Sequence, residues 1–180
     1  MPGKEGLKIF SELLSREQVA SILRWTLYFV LFLIAMLLQT IVLPQMRFFE
    51  FTLSLIPVCI VCVAVREGAE GGTFFAMMAG LVFCLSGVSD GPLYLALFAI
   101  SAALAGAVCD NFYTRSFVPA LVLSLMALLL CETSVFLFRV NTTGTDPALW
   151  HTVLLPMIMV SLLAFPLFYL GAWAISRIAR

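Results

Sequence analysis

The chain has 180 residues, of which 63% are hydrophobic and 11% charged, with a formal net charge of zero and a mean hydropathy of +1.11. Soluble domains carry about 25% charged residues, so this chain lacks the polar surface to coat a globule and must use lipid as solvent for most of its length. The neutral balance speaks against a nucleic-acid binder, and the class is an all-α integral membrane protein.

Residues 1–24 form a short N-terminal unit. On a helical wheel Leu7, Ile9, Phe10, Leu13 and Leu14 share one face, while Lys4, Glu5, Lys8, Glu12 and Arg16 share the other. This predicts an amphipathic helix lying on the membrane surface or against a partner. Ser15 with Gln18 resembles a capping box that opens the first spanning helix. No small-residue cleavage site follows the first apolar run, so no cleavable signal peptide is expected.

Residues 25–180 make up the membrane domain, with six apolar runs at 25–43, 51–65, 73–89, 93–109, 117–138 and 153–176. A spanning helix needs about 20 residues. The second run, 15 residues long, is expected to extend through Phe48 and Phe49. None of the runs alternates in polarity as barrel strands do. Backbone groups in lipid must bond within their own segment, so the expected fold is a six-transmembrane-helix bundle.

Orientation follows the basic residues. With the N-terminus inside, the cytoplasmic side holds Lys4, Lys8, Arg16, Arg24, Arg66, Arg115, Arg177 and Arg180, leaving Arg47 and Arg139 outside. Both termini and the REGAEGG loop are then cytoplasmic, in a multi-pass membrane protein.

Cys59 and Cys62 form a CxxC, a spacing used for redox or zinc chemistry in soluble chains. Their flanks, IPVCIVCVAV, are apolar, with no second Cys or His pair beside them. They read as small hydrophobes, and no cofactor or metal is expected. The single histidine, His151, has no obvious ligand partners.

In the third run Gly72, Ala76, Gly80 and Cys84 recur every four residues; in the fourth, Ala99, Ala103 and Ala107 form one ladder with Ala102 and Gly106 beside it. Membrane helices associate through the close backbone approach that small residues permit. The Ser89-Asp90-Gly91-Pro92 turn joins these two runs, so they are expected to pack as an antiparallel pair.

Glu132, in LLLCETSVFLF, is the one carboxylate clearly inside a span, seven residues before Arg139. Charges in the hydrocarbon are expensive, so such residues face protein or water. The open readings are a hydrogen bond within the bundle, a partner contact, and a proton or ion path. GxSxG, HExxH and Walker-type glycine loops are absent from the sequence, and no enzyme is expected. Inverted transporter repeats are not evident either.

Arg66-Glu67-Gly68, Glu70, then AGLVFCLSG and Gly91-Pro92-Leu93 followed by LYLALFAISAALAG, resemble the rod shape-determining MreD family, in its divergent form from Gram-positive anaerobes. Family members have five or six spans, a charged loop with Gly, and a glycine-rich third helix. Gly80, Leu81, Ser86 and Gly87 match that helix's motif, and Pro44 and Pro57 fit the first loop and second helix. The likeness covers about residues 25–140, and Cys84 stands where the family carries an acidic residue. The resemblance implies a non-enzymatic scaffold that binds an MreC-like protein and couples an MreB-like filament to a RodA-type glycosyltransferase and its transpeptidase. Arg66, Glu67, Glu70 and Glu132 are the partner-contact candidates. For Arg66, Glu67 and Glu70 a second reading stays open: Arg66 anchors the second span, and the two carboxylates favour the next helix's N-terminus through its dipole.

The substrate-binding S component of an energy-coupling-factor vitamin transporter is similar in length, span number and orientation. Those proteins carry an Ala-x-x-x-Ala pattern on the first helix, where this chain has only Ala35. The outer loops are also poor in polar groups for binding a ligand, the loop RVNTTGTDPALWHT, with Asn141, Thr142, Asp146, Trp150 and His151, being the exception.

Overall fold

The structure, a computed structural model, describes residues 16–42, 54–87, 91–111, 116–144 and 155–178. The amphipathic stretch of residues 7–14, Ser15, Pro44, Arg47, Asp90, Arg115, Asp146, Trp150 and His151 lie outside the described residues. The regular elements are helices: α1 Arg16–Leu37, prolonged by a π-helical turn Leu38–Val42; α2 Ile56–Leu85; α3 Gly91–Asn111; α4 Phe117–Thr143; α5 Leu155–Leu163; and α6 Phe165–Ile178. Five stretches are long and apolar enough to cross a membrane: Gln18–Ile41, Ile56–Leu85, Gly91–Asn111, Phe117–Thr142 and Pro156–Arg177.

Among the described residues five such stretches stand where six separate spans were expected. Residues 66–72, expected to form a loop, are helical on either side of Gly68, so the runs at 51–65 and 73–89 meet there as two helices of one element, α2. The element is not straight. At Gly68 the backbone leaves helical geometry, with φ 87° and ψ −178°. A Cβ added to Gly72 would lie 2.5 Å from the Ala64 α-carbon, whereas residues eight apart in a straight helix are separated by about 12 Å along the axis. The chain therefore doubles back at Gly68 into a descending limb, 56–67, and an ascending limb, 69–85. Aromatic contacts follow the reversal. Tyr28 and Phe32 of α1 both meet Phe75 on the ascending limb, while Gln39 of α1 bonds to Leu55 and Ile56 where the descending limb begins.

A left-handed φ with extended ψ is essentially a glycine conformation, and Gly68 is enclosed as well. A Cβ there would come within 2.8 Å of the Asp110 carboxylate. The turn therefore requires glycine twice over, by conformation and by space.

The last expected span, 153–176, is two helices joined at Ala164. Pro166 has no N–H to give to the carbonyl of Leu162, so the ladder breaks there. Ala164 bonds to the Ser161 carbonyl instead, at 3.3 Å.

The ascending limb and α3 pack as the small residues foretold. The Gly80 position lies against Leu95, Gly91 against Cys84, and Gly106 against Ala69 and Gly68. Gly72, Ala76, Gly80, Ala102 and Gly106 are buried; Cys84, Ala99, Ala103 and Ala107 are half-buried at the margins. Gly72 faces the descending limb rather than α3. Gly87 is not a packing residue: nothing lies within 4 Å of a Cβ added there, and its φ of +84° marks a turn after the helix.

Candidate functional site

Charged and polar side chains collect at two places, one at each end of the hairpin in α2. At the Gly68 end, Glu67 closes the descending limb. A carboxylate at a helix C-terminus faces the negative pole of the helix dipole, so it needs partners. The Tyr28 hydroxyl donates to Glu67 Oε1 at 2.8 Å, and Arg24 Nη2 lies 3.5 Å from Glu67 Oε2. Both partners come from α1, one turn apart, because residues four apart share a helix face. Arg66 stacks over the Tyr169 ring of α6 at 4.8 Å, tying the same turn to the last helix.

Asp110, in the last turn of α3, accepts the Ala69 N–H at 2.9 Å. That N–H is the first of the ascending limb and has no partner within its own helix. Gly106, one turn before Asp110, makes the approach possible: a Cβ there would sit 2.5 Å from the Ala69 α-carbon. Glu70, in the first turn of the ascending limb, is exposed and lies where the dipole favours a negative charge. Of the candidates from the REGAEGG stretch, Arg66 and Glu67 are thus engaged within the bundle, and Glu70 is on the surface. Arg177 at the end of α6 lies over Trp173 at 4.1 Å.

At the other end of the hairpin, the descending limb begins inside the bundle. Its first N–H groups are met by side chains: Gln39 Oε1 accepts from Leu55 at 2.9 Å and Ile56 at 3.2 Å, and Ser161 Oγ accepts from Ser54 at 3.0 Å. Gln39 sits within the π-helical turn that ends α1. Such turns are rare and are found frequently at functional sites. Glu132 of α4 has the Ser54 side chain as a polar neighbour, and its Oε1 is buried with no hydrogen-bond partner. Glu132 is therefore an interior residue of this end of the hairpin.

Arg24, Tyr28, Asp110, Gln39, Ser54 and Ser161 escaped the sequence reading. Asp110 carried the clearest signal, a carboxylate next to the apolar Cys109 and one ladder step beyond Gly106. The serines and Gln39 carried none, being single polar residues in apolar surroundings.

Among the described residues no group of three or more His, Cys, Asp or Glu could hold a metal ion. Cys59 and Cys62 are buried and free. A shallow cavity of about 130 Å³ lies between α3 and α4, lined mostly by Leu104, Ala105, Leu123, Met126 and Leu130, and suits only apolar groups. Comparison with known proteins found no matching family model, no matching curated relative and no matching solved structure.

Proposed function

We propose that this protein is a non-enzymatic scaffold of the bacterial cell-elongation machinery, which binds an MreC-like partner in the plasma membrane. The reading rests on the quoted resemblance to the MreD family. The observation that carries it is the hairpin turn: the Arg66-Glu67-Gly68-Glu70 motif is a packed corner rather than a loose loop. Arg24, Tyr28 and Asp110 fix that corner, and Glu70 and Asp110 are its exposed acids. A rigid corner with fixed surface charge loses little conformational entropy on binding, which suits a docking element for a basic segment. The basic-residue bias assigns Arg24, Arg66 and Arg177 to the cytoplasmic side, and with them the Gly68 corner that Arg24 and Arg66 hold.

The test is capture of the tagged full-length protein from mild-detergent membranes of its own cell, with co-purifying proteins identified by mass spectrometry. Recovery of MreC-, MreB- or RodA-type proteins supports the scaffold. Recovery of an ATPase pair with a coupling subunit overturns it in favour of a vitamin-transporter S component.

A further inference from the structure

We propose that Glu132, Ser54 and Ser161 form a binding site for a small cation, an alkali-metal ion or a proton, enclosed in the bundle at the end away from the Arg24–Glu67 pair. Glu132 is only 5% exposed. Its Oε1 is buried with no hydrogen-bond partner, and the Ser54 side chain is the polar neighbour that acts on the carboxylate. An ionised carboxylate in an apolar interior needs an opposite charge beside it. Arg139, which acts on Glu132 through space, is an exposed residue seven positions further along α4. Cys131 adjoins Glu132 on α4, and the groups contributed by α2 and α5 are the uncharged serines.

The serines are suited to complete a cation site. A hydroxyl oxygen carries two lone pairs. Ser161 Oγ uses one to accept the Ser54 N–H, leaving the second for a ligand. Carboxylate and hydroxyl oxygens are hard donors, which match alkali-metal ions and protons rather than zinc or copper. A second feature supports the assignment independently. The descending limb starts within the bundle, and α1 and α5 spend Gln39 and Ser161 to satisfy its N–H groups. Interrupted helices with polar side chains are the usual architecture of buried ion sites in membrane proteins, and three segments contribute oxygens here: Ser54 just before α2, Glu132 of α4 and Ser161 of α5.

The experiment is thermal unfolding of the purified full-length protein in detergent at constant ionic strength. Choline chloride is exchanged for NaCl, KCl or LiCl, and a separate series runs from pH 5 to 8 in choline chloride. If the ligand is an alkali ion, the wild-type midpoint rises by roughly 5–10 °C as the ion reaches about a hundredfold its Kd, and Glu132→Gln abolishes the rise. If it is a proton, alkali ions have no specific effect, the wild-type midpoint falls as the pH rises, and Glu132→Gln flattens that fall. A wild-type midpoint indifferent to both series, or identical responses in Glu132→Gln, overturns the proposal. Should Glu132→Gln yield no folded protein, Ser54→Ala takes its place. It is expected to weaken the cation or proton response about tenfold in concentration, and an unchanged response overturns the assignment.

Discussion

Gly72 packs directly against Ala64, eight residues earlier in the chain, and this contact closes the hairpin of α2. A methyl group at position 72 would overlap the Ala64 α-carbon and its Cβ, both 2.5 Å away, and backbone cannot step aside as a flexible side chain can. Gly72→Ala is therefore expected to destabilise by about 1–3 kcal/mol, read as a lower unfolding midpoint in detergent. Gly72→Leu should abolish the monodisperse peak in gel filtration. An unchanged midpoint in Gly72→Ala would mean the limbs separate without cost.

The glycines of the ascending limb and α3 should rank by what surrounds them. Gly106→Ala meets the backbone of Ala69 and Gly68 at 2.5–2.8 Å, Gly80→Ala meets mainly the Leu95 side chain at 2.7 Å, and Gly87→Ala meets nothing. The expected order of destabilisation is Gly106, then Gly80, then Gly87, the last limited to about 1 kcal/mol of backbone strain. Thermal midpoints of the three variants check it, and a Gly87 variant as damaged as the Gly106 variant would contradict the packing argument.

Asp110→Ala removes the acceptor for the Ala69 N–H and should cost about 0.5–2 kcal/mol, the range for losing an N-terminal cap. Asp110→Asn retains an acceptor oxygen and should recover most of that loss. If the two variants were equally destabilised, charge rather than the hydrogen bond would be the stabilising element.

Glu67 and Glu70 should part company on charge reversal. Glu67→Lys loses the Tyr28 hydrogen bond and sets a cation beside Arg24. Hydrogen bonds to charged groups are worth about 1.5–3 kcal/mol, so folding should suffer visibly. Glu70→Lys alters an exposed side chain and forfeits only the dipole interaction, about 0.3–1 kcal/mol. It should fold normally and lose partner capture. A folded Glu70→Lys variant that still captures its partner would remove Glu70 from the docking surface.

The gross architecture was legible because lipid leaves so few options: long apolar runs must be helices. The close pairing of the ascending limb with α3 was legible too, since Gly80 and Gly106 have no other evident reason to sit on those faces. The continuity of α2 was hidden. A charged Gly-rich stretch between two apolar runs reads as a loop, and only the tertiary environment shows otherwise. Asp110 caps the new helix, Gly106 lets it approach, and α1 neutralises Glu67, so one glycine turns the chain with no loop at all. The buried constellation around Glu132 was half legible. Its carboxylate stood out in an apolar run, but Ser54, Ser161 and Gln39 come from segments whose registers depend on how the helices dock.

From Ile56 to Val65 every side chain of the descending limb is buried. With 12 residues between Ile56 and Glu67 it is about 18 Å long, well short of the roughly 30 Å hydrocarbon layer. Such a segment is poorly suited to enter the bilayer alone, since its start would leave N–H groups in lipid until Gln39 and Ser161 arrive. Its membrane insertion is accordingly expected to be a joint event, with the two limbs entering as a hairpin. Ser161 is made more than a hundred residues after Ser54, so the last helices complete what the second began, and a chain truncated before α5 would be left with an unsealed polar end for quality-control proteases to recognise.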